Sequence, residues 1–229
     1  TVWRVNLGWR RRKEKSIYGF NIDAATGFWS KDEQAPVDQN EDAAKEEKHI
    51  QRISPYVEDR RNVLILRPQE LLDEHVLTTL QMALKRGIEE EFQIEESELM
   101  VEPLPNRDLR NAILFYEAAE GGAGVLTRLV TGADSLARVA KTALQICHYE
   151  TQDSWQTEKD TNSNCEAGCY RCLLSYYNQP EHELIDRRHP KVLEILKALT
   201  HATISVSSGG RSHADQSEQL ERLSNSSLE

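Results

Sequence analysis

Apolar positions change their period along this chain, and the changes outline its elements. From Thr1 to Leu7, Trp3, Val5 and Leu7 alternate with Val2, Arg4 and Asn6, which predicts a half-buried strand ended by Gly8. Tyr18–Ile22 and Gly27–Trp29 predict two short strands around the turn Asp23–Gly27, so residues 1–30 read as an N-terminal β-hairpin region. Residues 31–60 are dominated by Asp, Glu, Lys, Gln and Asn without an apolar period. They read as an acidic linker or mobile loop, with a short surface helix over Glu41–Arg52. An α/β domain is expected over 61–200 and a polar, disordered tail over 201–229, weakly helical around Gln216–Leu223.

Within 61–200 the pattern is sharper. Asn62–Leu66 is a continuous apolar run closed by Pro68, predicting a buried strand. Leu72, Val76, Leu80, Leu84, Ile88 and Phe92 then recur every four residues, one stripe of a long amphipathic helix. Glu98–Val101 predicts a strand stopped by Pro103 and Pro105, and Asn111–Tyr116 another buried strand. A helix carries Val125, Leu126, Leu129 and Val130. A second, from Asp134 or Ser135, carries Leu136, Val139, Ala140, Ala143, Leu144 and Cys147. Thr151–Asn164 reads as a polar loop holding Trp155, and Pro190 opens a last helix with Val192, Leu193, Leu196 and Leu199 inward. The fold class is α/β in the α+β sense: a small mixed sheet packed by helices, with a zinc knuckle over 147–188.

Composition adds bounds. The chain has 229 residues, 38% of them hydrophobic and 29% charged, enough for one core once tails and linker are discounted. A net charge of -10 excludes a uniformly basic nucleic-acid surface, though not a local basic face. There is no run of 18 apolar residues and no signal peptide, which points to a cytoplasmic protein without a membrane span. The start at Thr1 reads as a fragment of a longer polypeptide.

The four cysteines change the picture most. Cys165, Cys169 and Cys172 form a C-x3-C-x2-C knuckle, and Cys147 lies 18 residues upstream. Clustered thiols in an otherwise cysteine-free chain point to a reducing compartment and a metal rather than to disulfides. The reading is a closed tetrahedral site of four thiolates, Cys147, Cys165, Cys169 and Cys172, holding structural Zn2+. His148 and His182 are the alternatives for one ligand, although His148 follows Cys147 directly and two neighbours seldom face one metal. Such a site is negative, so Arg171, Arg187 and Arg188 are candidates for offsetting its charge or facing phosphates.

Other stretches carry weaker chemistry. Arg10, Arg11, Arg12 and Lys13 lie between Trp9 and Tyr18, a composition that grips phosphates and stacks bases, or simply forms a solvated turn. Glu117 precedes a glycine-rich strand-to-helix turn, Gly121, Gly122 and Gly124, whose backbone N–H groups suit an anion or close packing. It lacks the Lys–Ser/Thr pair of a nucleotide loop. Glu102, Glu117 and Glu120 lie near strand ends and are the only basis for a metal-dependent nuclease reading.

Two motifs together resemble a known family. Phe115-Tyr116-Glu117 leading to Gly121-Gly122-Ala123-Gly124, and Cys165–Cys172 followed by Leu173, Ser175-Tyr176, Asn178-Gln179, His182 and Asp186-Arg187, resemble the C-terminal zinc-binding domain of MrfA-type DNA helicases. This domain is also known as domain of unknown function 1998 and occurs in components of the DISARM anti-phage system. The resemblance spans roughly Asn62–Leu199; Glu117 stands where an aspartate is usual, and residues 1–60 lie outside it. It implies an accessory domain of a superfamily 2 motor, on the same chain or a partner subunit, acting on single-stranded DNA in repair or antiviral defence. No motor motif is present here, so no catalytic site is expected. A protein-docking module is the alternative.

Overall fold

The computed structural model describes residues 1–9, 11–14, 16–30, 49–105, 110–152 and 157–205. The predicted helix at 216–223, Arg10, Trp155 and most of the acidic stretch lie outside them. The chain forms two units, Thr1–Arg61 and Asn62–Glu229.

The first unit is built of strands. β1 (Val2–Val5), β2 (Phe20–Asp23) and β3 (Trp29–Ser30) fall where alternation placed them, with β2 and β3 antiparallel around the Asp23 turn. The sequence reading of 50–59 differs from the structure: β4 (Ile50–Ile53) pairs β2, and β5 (Tyr56–Asp59) pairs β1, both antiparallel. The end of the Glu41–Arg52 helix is therefore strand. Cross-strand pairing decides it, since Ile50, Ile53, Tyr56 and Val57 have β preference that an acidic neighbourhood masks. β1 is mostly exposed rather than half-buried.

The second unit carries the core. β6 (Val63–Leu66), β7 (Leu99–Leu104) and β8 (Ala112–Glu117) make an antiparallel sheet in the order β6-β8-β7. All strand pairings among the described residues are antiparallel, so the expected mixed sheet is corrected to small antiparallel ones within the same α+β class. β6 is an edge strand that turns Val63 and Ile65 outward and Leu64 and Leu66 inward. β7 runs through Pro103, tolerable because β7 too lies at an edge.

α1 (Glu74–Phe92) starts where Asp73 caps it, its carboxylate accepting the Val76 N–H at 2.9 Å. Its apolar stripe is buried as predicted, but Thr78, Thr79, Gln81, Lys85 and Glu89 are buried too, because α1 is covered on several sides. It packs on the sheet and on α3 (Ser135–Ile146), with α4 (Pro190–Leu199) against both helices. Gly87 makes the α1–α3 approach possible: a Cβ there would stand 2.6 Å from the Val139 carbonyl oxygen. α2 (Val125–Thr131) links β8 to α3. The stretch expected as a loop after α3 is a hairpin, β9 (Tyr149–Gln152) with β10 (Thr157–Asp160). Among the described residues no helix is long and apolar enough to cross a membrane.

Candidate metal centre

Helix α3, hairpin β9–β10 and the knuckle converge on one point. α3 ends with Cys147 as its C-cap, and the next residue, His148, takes a left-handed backbone (φ 65°) that breaks the helix. Cys147 stays buried within the core, while the His148 ring is sent towards Cys169, its Nε2 3.3 Å from Sγ. The ligand atoms of His148, Cys165, Cys169 and Cys172 all lie within 4.8 Å of one another. The fourth donor of this group is therefore His148 and not the expected Cys147. The left-handed turn at His148 brings the imidazole, rather than the Cys147 thiol, into this group. The other histidine considered, His182, sits instead on Asn178 Oδ1 at 2.9 Å and the Ser175 carbonyl at 3.1 Å.

The knuckle is locally wound to present its sulfurs. The Cys172 and Leu174 N–H groups both donate to the Cys169 carbonyl, at 3.0 and 3.1 Å, and the Cys169 N–H donates to Cys172 Sγ at 3.0 Å. Cys165 and Cys172 Sγ are 3.8 Å apart. Four donors about 2.0–2.3 Å from a tetrahedral zinc lie roughly 3.5–3.8 Å from each other; the His148–Cys169 and Cys165–Cys172 separations are close to that, and the widest in the group, within 4.8 Å, would close by about 1 Å around the ion. The chemistry fits as well. Burial lifts the Cys172 thiol to about 12 and pushes that of Cys147 up further, the charge of Cys172 adding to it. Burial also works against a Cys169 thiolate, but bonds from His148 and the Arg171 backbone outweigh it and bring its pKa down to about 6. A thiol as buried as Cys172 carries charge only against a strong cation, whereas Cys169 is already inclined to ionise. Three thiolates, an imidazole and Zn2+ form a closed set suited to structure rather than chemistry.

Arg187 supplies the balance. It is wholly buried, which agrees with the first of the two roles expected of it, offsetting the charge of the site, and not with the second, facing phosphate. Its guanidinium donates to the Cys165 carbonyl (2.8 Å), the Cys147 carbonyl (3.0 Å), the Asn162 carbonyl (2.8 Å) and Asp160 (2.8 Å), and lies 5.2 Å over the Tyr149 ring. A planar fork of five donors can serve so many acceptors at once. Three thiolates on Zn2+ leave about -1, which one buried guanidinium offsets. Arg187 thus joins the end of α3, the hairpin and the knuckle. Arg188 is half-buried on the Ser163 carbonyl at 2.8 Å, and Arg171 is exposed.

The residues after the knuckle complete a polar brace. Asn178 donates to the Leu173 carbonyl (2.8 Å) and accepts from the Ser175 N–H (2.8 Å). Thr79 on α1 accepts the Asp186 N–H at 2.9 Å. Sequence reasoning missed Thr79, and also Arg110, which reaches Thr78 (2.7 Å) and Glu181 (2.8 Å). A polar residue inside an apolar helix face was the available signal.

The glycine-rich turn is not an anion site. Glu117 is buried and its carboxylate accepts the Gly124 N–H (2.9 Å) and Leu126 N–H (2.7 Å), with Asn62 Nδ2 3.3 Å away. The side chain fills the place an anion would take. It also removes Glu117 from any nuclease centre, and among the described residues the acids form no metal-holding group with Glu102 or Glu120. Gly121 is open, whereas Gly122 (φ 73°) lies directly against the Glu117 carboxylate and Asn62.

Fold and site together define an α+β module stapled by a structural zinc knuckle. Its family likeness is specific: residues 80–173 match the family model of the MrfA Zn-binding domain. The match takes in β7, β8, α2, α3, His148 and all four cysteines, and stops before Ser175 and Arg187. No curated protein matches the chain significantly, and no solved structure does.

Proposed function

We propose that this chain is the zinc-stapled accessory module of a superfamily 2 DNA helicase or translocase system. It serves DNA repair or phage defence, and it handles single-stranded nucleic acid or docks a subunit. The observation that carries the reading is the His148, Cys165, Cys169 and Cys172 group inside a segment similar to the MrfA Zn-binding domain. The chain has no phosphate-binding Lys–Ser/Thr loop, so the ATP-driven motor belongs elsewhere on the polypeptide or on a partner. Exposed Arg171, flanked by exposed Tyr170 with Tyr176 and Tyr177 nearby in sequence, suits contact with a strand.

Docking is the second reading, and one feature favours it. A cleft of about 250 Å³ opens beside the knuckle, where Met82, Met100, Pro103 and Leu173 are rimmed by charged groups such as Arg86 and Glu102, the apolar-centre and polar-rim pattern of a protein-binding groove.

The test is a pair of measurements on the purified chain. The expected result is zinc near one per chain and no ATP hydrolysis, with Cys169→Ser lowering DNA-stimulated turnover of the motor system. DNA-stimulated ATP hydrolysis by the chain alone would overturn the accessory role. Binding of single strands at low salt separates nucleic-acid handling from docking.

A further inference from the structure

The first unit has an unusual surface for a strand module. Phe20 is its one buried hydrophobic side chain among the described residues, with Trp9 and Trp29 edge-on to it at 5.2 and 5.1 Å. Trp3 is 57% exposed, Tyr56 59%, Tyr18 54% and Phe28 76%. Leaving this much aromatic area in water is costly unless something covers it.

Its arrangement says what covers it. β1 and β5 pair with Val5 opposite Tyr56 and Trp3 opposite Glu58, so Trp3 and Tyr56 share a face. Their rings lie parallel, 12° apart with centroids at 5.0 Å, which is one step of a stack. The two sheets are joined by the Asn6 N–H on the Pro55 carbonyl (2.8 Å) and the Gly19 N–H on the Leu7 carbonyl (3.0 Å). At that junction Arg12 lies 5.4 Å over the Tyr18 ring and donates to the Trp9 carbonyl, while Arg52 donates to the Tyr18 carbonyl. These contacts hold two guanidinium groups beside one exposed aromatic.

Charge separates the possible occupants. Residues 1–30 and 49–61, which carry the strands, hold nine Lys and Arg against four Asp and Glu, while seven acids and three lysines fall in the intervening 31–48. Aromatics and arginine serve protein interfaces as well, so it is the clustering of Arg11, Arg12 and Lys13 with few acids beside them that favours a polyanion, and the flat aromatics then suit its unpaired bases.

We propose that the strand surface of Thr1–Arg61 binds single-stranded nucleic acid. Unpaired bases extend the Trp3–Tyr56 stack, and Arg11, Arg12, Lys13 and Arg52 neutralise phosphates. The assignment rests on the nucleic-acid reading above and places the contact outside the zinc unit.

The experiment uses the zinc-loaded full chain and a fluorescein-labelled poly-dT strand of about 20 nucleotides, read by anisotropy. With about four phosphates neutralised, affinity should fall roughly 50-fold between 50 and 200 mM salt. Trp3→Ala with Tyr56→Ala should weaken binding about 10-fold or more, and Trp3→Phe with Tyr56→Phe should restore most of it. Should the alanine pair misfold, Arg11→Gln with Lys13→Gln, both exposed, carries the test through a shallower salt slope. Binding that survives these variants, and falls instead with Arg171→Ala, overturns this assignment and leaves the proposed function standing. No binding at 50 mM salt overturns this assignment together with the nucleic-acid half of the proposed function and leaves subunit docking.

Discussion

Replacing Arg187 by methionine tests the zinc unit at its most connected point. Methionine matches much of the volume but donates nothing. The carbonyls of Cys147 and Cys165, which take Arg187 at 3.0 and 2.8 Å, lose their guanidinium donor in a buried setting. Each buried acceptor left unsatisfied costs about 1–3 kcal/mol. Asp160 is 28% exposed, so water recovers part of its loss. The sum, about 3–5 kcal/mol, agrees with the usual cost of breaking a buried ion pair from one side. For a unit of this size that lowers Tm by roughly 10 °C. The loss also removes the cation that offsets the thiolates, so a chelator should strip zinc faster. Arg187→Lys should recover only part of the loss, because one ammonium cannot span acceptors on the helix, hairpin and knuckle. The assay is thermal unfolding of zinc-loaded protein, paired with chelator-release kinetics. If Arg187→Met melts within about 2 °C of the parent and releases zinc at the same rate, the reasoning fails.

Three further outcomes follow from the geometry. His148→Ala should lose zinc by elemental analysis, whereas Cys147→Ser should keep it and lose about 1–3 kcal/mol from burying a hydroxyl; the opposite pattern would restore Cys147 as ligand. Gly122→Ala should destabilise the β8–α2 turn far more than Gly121→Ala, which costs about 1–2 kcal/mol of left-handed strain, since only at Gly122 does a methyl strike the Glu117 carboxylate; equal urea midpoints would refute this. Gly87→Ala should lower stability by about 1–3 kcal/mol in denaturant melts despite alanine's better helix propensity, because its Cβ meets Val139 and Ala143.

The unit's helices were legible because their apolar periods are long. The stripe expected from Leu72 to Phe92 lies on α1 from Val76 onward, with Leu72 just before its cap, and that from Leu136 to Cys147 lies on α3, with Cys147 as its cap. Strand pairing was less so: Ile50–Ile53 and Tyr56–Asp59 sit in an acidic context, and only β2 and β1 across the sheets reveal them as strands. The hairpin after α3 was hidden for the same reason.

At the metal centre the division is equally physical. A cluster of soft ligands was predictable from local sequence, because three cysteines within eight residues can converge through local turns alone. The sequence also placed Asp186-Arg187 and Asn178 in the same motif. It could not choose between Cys147 and His148, since that choice depends on a left-handed backbone at one residue. Nor could it tell a buried arginine from an exposed one. Arg187 and Arg188 are adjacent, yet one is enclosed by carbonyls from three segments and the other reaches the surface. Those acceptors are distant in sequence and meet only when α3, the hairpin and the knuckle close on each other, so the tertiary structure alone decided which cation serves the zinc site.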